Sequence, residues 1–171
     1  VSHSRGTDVV LTSIRELTIE ARAMGKIPKK QLKLRNVVIA APDINLDVGL
    51  QRTEREGTVC AAEQWTTYTS PNDKAINISE WLFGGGRLGK TGYDSLEDSI
   101  QVWSELFAAG ASNRRDSVIQ YEGSFGGAAG HNYFRTNPAV ASDLVLAVRY
   151  GRRPGAEHGR PLQHIQGPFW G

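Results

Sequence analysis

The segment Val37-Val38-Ile39-Ala40-Ala41, halted by Pro42, constrains the fold more than any other stretch. An unbroken apolar run leaves no polar face, so a strand made from it is buried on both sides. Strands of this kind belong to parallel sheets flanked by helices. The neighbouring patterns fit such a sheet. Val10, Ile14, Leu17, Ala21 and Met24 recur at helical spacing, with Gly25 as the stop. Residues 26–34 are basic and polar around Pro28 and read as a surface loop. Residues 43–62 read as loop and helix.

Further along, Gln64-Trp65-Thr66-Thr67-Tyr68-Thr69 is rich in β-formers and ends in the turn cluster Ser70-Pro71-Asn72-Asp73. Ala75, Ile78 and Leu82 predict a short helix closed by Gly84-Gly85-Gly86, and Ile100, Trp103 and Phe107 predict another over 95–109. Val118-Ile119-Gln120-Tyr121 reads as a strand, and Gly123 to Gly130 as a glycine-rich loop. Asn137-Pro138 starts a helix, an N-cap before proline at the first position, and Val140, Leu144 and Val148 carry it to about Tyr150. Residues 151–171 lack periodicity and are expected to form an irregular tail. Alternating strands and helices predict an α/β fold with a mostly parallel sheet. A length of 171 residues and 39% hydrophobic content suit one domain, read as 1–150 with the tail 151–171 appended.

Charge and cysteine content remove several function classes. Twenty basic against 18 acidic residues give a formal net charge of +2, which offers no global attraction to nucleic acid. Cys60 is the only cysteine, so an intramolecular disulfide and a multi-cysteine metal site are both excluded. His158, His164 and Glu157 imitate metal ligands without a consistent spacing, and the glycine clusters match neither a P-loop nor a dinucleotide fingerprint. No cofactor is expected. The basic run Lys26, Lys29, Lys30, Lys33 and Arg35 reads as a solvated loop, with anionic lipid or an acidic partner as the alternative. Trp65, Trp81, Trp103 and Trp170 read as core or docking residues, and Phe169 with Trp170 as an anchor for the tail.

The chemistry lies in three features in a fixed order. Ser2-His3-Ser4-Arg5-Gly6, directly before the first helix, resembles the G-x-S-x-G nucleophile elbow, with Ser2 in place of the first glycine. Small residues are expected there because the strand-to-helix turn is sharp. The turn would raise the Ser4 hydroxyl above the sheet and leave the Arg5 backbone N–H facing a developing oxyanion. Asp73 follows a strand, and His131 follows the next one. Serine, acid, histidine is the chain order of α/β-hydrolases. A serine hydroxyl is a weak nucleophile until a base takes its proton. The histidine is that base, and the carboxylate fixes its tautomer. Asp43, after the preceding strand, is the alternative acid, and Asp47 a weaker one. Asp73 is preferred because its place fits the usual order. His158 and His164 rival His131 from the tail. His3 adjoins Ser4, so its side chain is expected to point away from the nucleophile and to serve packing.

The resemblance extends beyond this motif. His3-Ser4-Arg5-Gly6-Thr7, Val38-Ile39-Ala40-Ala41-Pro42-Asp43-Ile44, Tyr68-Thr69-Ser70-Pro71-Asn72-Asp73-Lys74-Ala75, Arg87-Leu88-Gly89, and Gly130-His131-Asn132-Tyr133-Phe134 with Asn137-Pro138-Ala139-Val140 together resemble the bacterial α/β-hydrolase family of unknown function termed DUF900. The resemblance spans residues 1 to about 150. It implies Ser4 as nucleophile, Asp73 as acid and His131 as base. It also implies a bacterial protein, exported or envelope-associated, and the serine chemistry leads us to expect a small-molecule or lipid ester as substrate.

The chain opens at Val1 on what reads as the end of a strand, without initiator Met, basic n-region or apolar h-region. A partial α/β-hydrolase fold is therefore expected, with the N-terminal strands and the loop giving the second oxyanion donor absent. Its open sheet edge would call for a protein partner. Two functions follow from this: a carboxylic-ester hydrolase, or a non-catalytic hydrolase-like subunit docked in a larger assembly.

Overall fold

The computed structural model describes residues 1–90, 116–123 and 130–171. The helix expected over 95–109, Trp103 within it, and most of the glycine-rich loop lie outside these residues. The chain enters through the short strand β1 (Ser2–His3) and turns at once into α1 (Gly6–Ala23). After α2 (Pro28–Leu32) it forms β2 (Leu34–Ala40), then α3 (Leu46–Leu50), a π-turn over Gln51–Arg55 and a 3-10 turn over Thr58–Ala61. β3 (Ala62–Thr69) leads into α4 (Lys74–Phe83), and β4 (Asp116–Gln120) precedes α5 (Tyr133–Thr136) and α6 (Pro138–Tyr150). The chain closes with β5 (His164–Gln166) and β6 (Phe169–Trp170).

These strands form one sheet in the order β1-β2-β3-β4-β6-β5, parallel except where β5 runs against β6. The α/β architecture with a mostly parallel sheet is therefore what the structure shows. β2 explains its own apolar run. Val37 and Ile39 enter one core with Leu11, Ile14 and Trp65, while Val38 and Ala40 enter another with Tyr68, Ile119, Tyr133, Phe134 and Val140. Period-two alternation sends neighbours to opposite faces, and both faces are covered. Burying each large apolar side chain contributes roughly 1.5–3 kcal/mol, so β2 is the spine that the site is built on.

Four expectations need correction. The buried stripe of α1 is Thr7, Leu11, Ile14, Thr18 and Ala21, whereas Leu17 and Met24 are exposed. Two threonines hold positions that an apolar count passes over. Residues 26–34 are not all loop, because Pro28 occupies the first position of α2 and Lys33 ends it in the left-handed region. Trp81 is 82% exposed, which removes the core half of its reading and leaves the docking half.

The tail is not irregular: Val118 and Ile119 of β4 pair in parallel with Phe169 and Trp170. Inside the tail, Arg160 is fully buried. Its guanidinium donates to both carboxylate oxygens of Asp143 on α6 at 2.7 and 2.8 Å, and the Tyr68 hydroxyl donates to the same carboxylate at 2.8 Å. A satisfied buried ion pair, invisible to periodicity, ties the tail to α6 and β3.

Candidate active site

Ser4 stands at the carboxyl end of β1 with φ +53°, in the left-handed region that side chains other than glycine rarely adopt. Among the described residues, the contacts that hold it there are main-chain ones. Its N–H donates to the Ala40 carbonyl at 3.1 Å, and its carbonyl accepts from Thr7 at 3.0 Å and Asp43 at 3.2 Å. Backbone strain of this kind costs on the order of 1–3 kcal/mol and persists only where its surroundings enforce it. Arg5 caps α1 without a side-chain bond, and its N–H has no acceptor among the described residues. The Gly6 requirement is looser than expected, since a Cβ there would meet nothing within 4 Å.

Asp73 is fully buried at the mouth of β3 and serves two elements at once. Its Oδ1 accepts the Ala75 and Ile76 N–H groups at 3.0 and 3.2 Å, capping α4. Its Oδ2 lies 2.7 Å from Nδ1 of His131. His131 follows Gly130, whose φ of +63° turns the loop beyond β4, and the buried Tyr133 and Phe134 root that loop in the second core. Burial, then the Asp73 carboxylate, pushes the Tyr133 hydroxyl far above the usual tyrosine range, so it stays protonated.

The alternative acid is engaged elsewhere. Asp43 accepts from the Ser79 hydroxyl at 2.6 Å and lies 3.7 Å from Arg87 and 3.9 Å from Arg5. Asp47 is exposed in the first turn of α3. His158 lies 3.5 Å from Glu157, and His164 packs on Trp170, so both rivals of His131 belong to the tail.

The structure thus brings Asp73 and His131 into contact. Ser4 Oγ makes no hydrogen bond among the described residues. The residue before it does meet the imidazole: the His3 ring lies 4.6 Å from the His131 ring and 4.6 Å from Phe134, centroid to centroid. His3 packs, as expected, but it packs on the histidine of the site itself.

Sequence reasoning also missed the work of Arg87-Leu88-Gly89. Leu88 N–H donates to Ile44, Gly89 N–H to Pro42, and the Gly89 carbonyl accepts from Ser70, at 3.0, 2.8 and 2.9 Å. This strap locks the exit of β2 to the exit of β3. A Cβ on Gly89 would sit 2.7 Å from the Pro42 carbonyl oxygen, so only glycine fits. The segment stood out as part of the family resemblance, but its strap role rests on contacts between distant residues that no local pattern carries.

Among the described residues, no group of three or more His, Cys, Asp or Glu side chains is placed to hold a metal ion, and no helix is long and apolar enough to cross a membrane. The arrangement places a strained serine, a buried carboxylate and its histidine at the carboxyl ends of β1, β3 and β4. That end of a parallel sheet is where ligands bind in such folds. Comparisons with curated proteins and with solved structures return no match. A family model described as alpha/beta hydrolase of unknown function (DUF900) matches residues 1–149, and the chain belongs to that family.

Proposed function

We propose that the protein is a serine hydrolase acting on carboxylic esters, of small molecules or lipids, with Ser4, His131 and Asp73 as its triad. The observation that carries the reading is the 2.7 Å contact of Asp73 with His131 beside a serine at φ +53°. The carboxylate accepts the Nδ1 proton, which leaves Nε2 as the free base. Nε2 takes the Ser4 hydroxyl proton as Oγ bonds to the ester carbonyl carbon. The oxyanion that forms meets the Arg5 N–H at the start of α1. When the tetrahedral adduct collapses, the C–O bond to the alcohol breaks and His131 returns the proton to the leaving oxygen. Water repeats the sequence on the acyl-serine. The serine–imidazole hydrogen bond of such sites is often long without substrate and tightens with it.

The test is labelling by a fluorophosphonate with the adduct mapped, together with ester turnover by S4A. The reading expects an adduct on Ser4 and a loss on the order of 10⁴-fold or more in S4A, with a small residue from binding and the oxyanion contact. Turnover retained by S4A refutes it.

A second reading, a non-catalytic subunit docked in a larger assembly, draws on the exposed Ile78, Trp81, Leu82 and Phe83 of α4 and on β1 at the margin of the described sheet. Folded protein that takes no label at Ser4, and is stable only with a partner, would favour it.

A further inference from the structure

The triad leaves one half-buried titratable side chain unused. His3 precedes the nucleophile, yet its ring lies on the ring of the base at 4.6 Å and 43°, backed by Phe134 at 4.6 Å and 42°. Its Nε2 is buried without a partner among the described residues. A buried polar atom left unpaired costs about 1–3 kcal/mol, so a simple packing role would be better filled by an apolar ring.

We propose that His3 is a positioning residue for His131, holding the imidazole by its face so that Nδ1 stays on Asp73 and Nε2 stays turned to Ser4. The inference rests on the triad reading. One hydrogen bond, from Nδ1 to Asp73, leaves an imidazole free to pivot about that bond. A ring pressed to its face removes the pivot. The wall is built in sequence: β1 pairs His3 with Ala40 of β2, and α5 brings Phe134 behind it. Chain adjacency then fixes the distance between the wall and the nucleophile.

His3 can do this only while neutral, because the imidazolium formed during catalysis would be repelled by a second charge on its face. The groups facing it divide. Burial, then His131, lowers its tendency to protonate, and Arg135 of α5 adds to this. The His131 carbonyl and the Asp73 carboxylate oppose them, and the net shift is downward. At neutral pH the wall is therefore uncharged. In acid His3 charges, and the wall then repels the imidazolium that it should hold.

The experiment compares wild type, H3F and H3A in kcat and KM across pH, with the low-field Nδ1–H resonance of His131 followed by NMR. H3A is expected to lose on the order of 10²-fold in kcat with KM little changed, the scale of a misplaced catalytic group, and its Nδ1–H resonance to broaden. H3F should restore most of kcat and the resonance, and its activity should fall less steeply in acid than that of wild type, because the charge on position 3 is removed. If H3A fails to fold, H3F carries the test through its acid limb. An H3F acid limb as steep as wild type, or an H3A with unchanged kcat and a sharp resonance, overturns the proposal. Turnover in S4A would overturn the triad itself. The NMR comparison still reports then whether His3 holds His131 on Asp73.

Discussion

The double duty of Asp73 gives the sharpest test of the site. In D73N the amide oxygen can replace Oδ1 and accept the Ala75 and Ile76 N–H groups, the bonds at 3.0 and 3.2 Å that cap α4. Those two donors then forbid the amide from flipping, since its NH₂ cannot accept. The NH₂ must take the place of Oδ2 and face Nδ1 of His131 at about the present 2.7 Å. A donor facing that atom drives the imidazole to the other tautomer, with its proton on Nε2, and the base is lost. The cap, about 1 kcal/mol, is kept, and one hydrogen bond to His131 replaces another. Stability should change by no more than about 1 kcal/mol, while kcat/KM falls on the order of 10⁴-fold, about 5.5 kcal/mol of transition-state stabilisation.

D73A separates the two roles. It should lose a similar amount of activity and, in addition, about 1–3 kcal/mol of stability from the vacated cap. Urea unfolding and hydrolysis of a chromogenic ester read the two quantities independently. The reasoning fails if D73N keeps more than about a tenth of wild-type activity, or loses more than about 2 kcal/mol of stability along with it. A catalytic collapse in D43N alone would move the acid to Asp43.

Three further outcomes are expected. R160M leaves the Asp143 carboxylate buried beside Tyr68 without its guanidinium and should cost about 3–5 kcal/mol in urea unfolding; a loss near zero would mean that the tail is not docked as described. G89A drives a Cβ against the backbone of Pro42 and should cost about 1–3 kcal/mol. It should also lower kcat, because the Gly89 carbonyl holds Ser70 in the loop that presents Asp73, and unchanged kinetics would separate the strap from the site. His3 is shifted below its ordinary 6.5, so below that pH the unfolded chain binds a proton that the folded chain refuses. Wild-type stability should therefore fall as pH drops through and below 6.5, and H3F should flatten that decline; an identical decline in H3F would show that His3 is not the group responsible.

What the sequence made legible follows from what is local. β2 announced itself because burial on both faces leaves an unbroken apolar run, and α6 because Asn137 and Pro138 are chosen by the helix start itself, the Asn137 side chain accepting from Ala139 and Val140. The serine turn, Asp73 and His131 were legible as an order along the chain. Their contact was not, since 58 residues separate the two partners of the 2.7 Å bond. The buried stripe of α1 was misread because threonine can fill a core position when its neighbours fit, and polarity alone does not say so. The tail was misread because β6 is only two residues long and borrows its regularity from β4.

What His3 packs against was illegible for a different reason, and that reason bears on the candidate site. Adjacent side chains point to opposite faces only while the backbone stays extended. The chain leaves the extended region at Ser4, with φ +53°. Beyond that point, alternation no longer separates position 3 from position 4 in what they can reach. A strained residue at the end of a strand therefore has a second effect besides exposing its hydroxyl. It allows the residue before it to lie against the His131 ring. Asp73 meets that ring at Nδ1 and His3 lies against it at a 43° tilt, with Phe134 in turn against His3, so separate elements combine to set one side chain. Such convergence is what a base needs if its orientation is to be set before the substrate arrives.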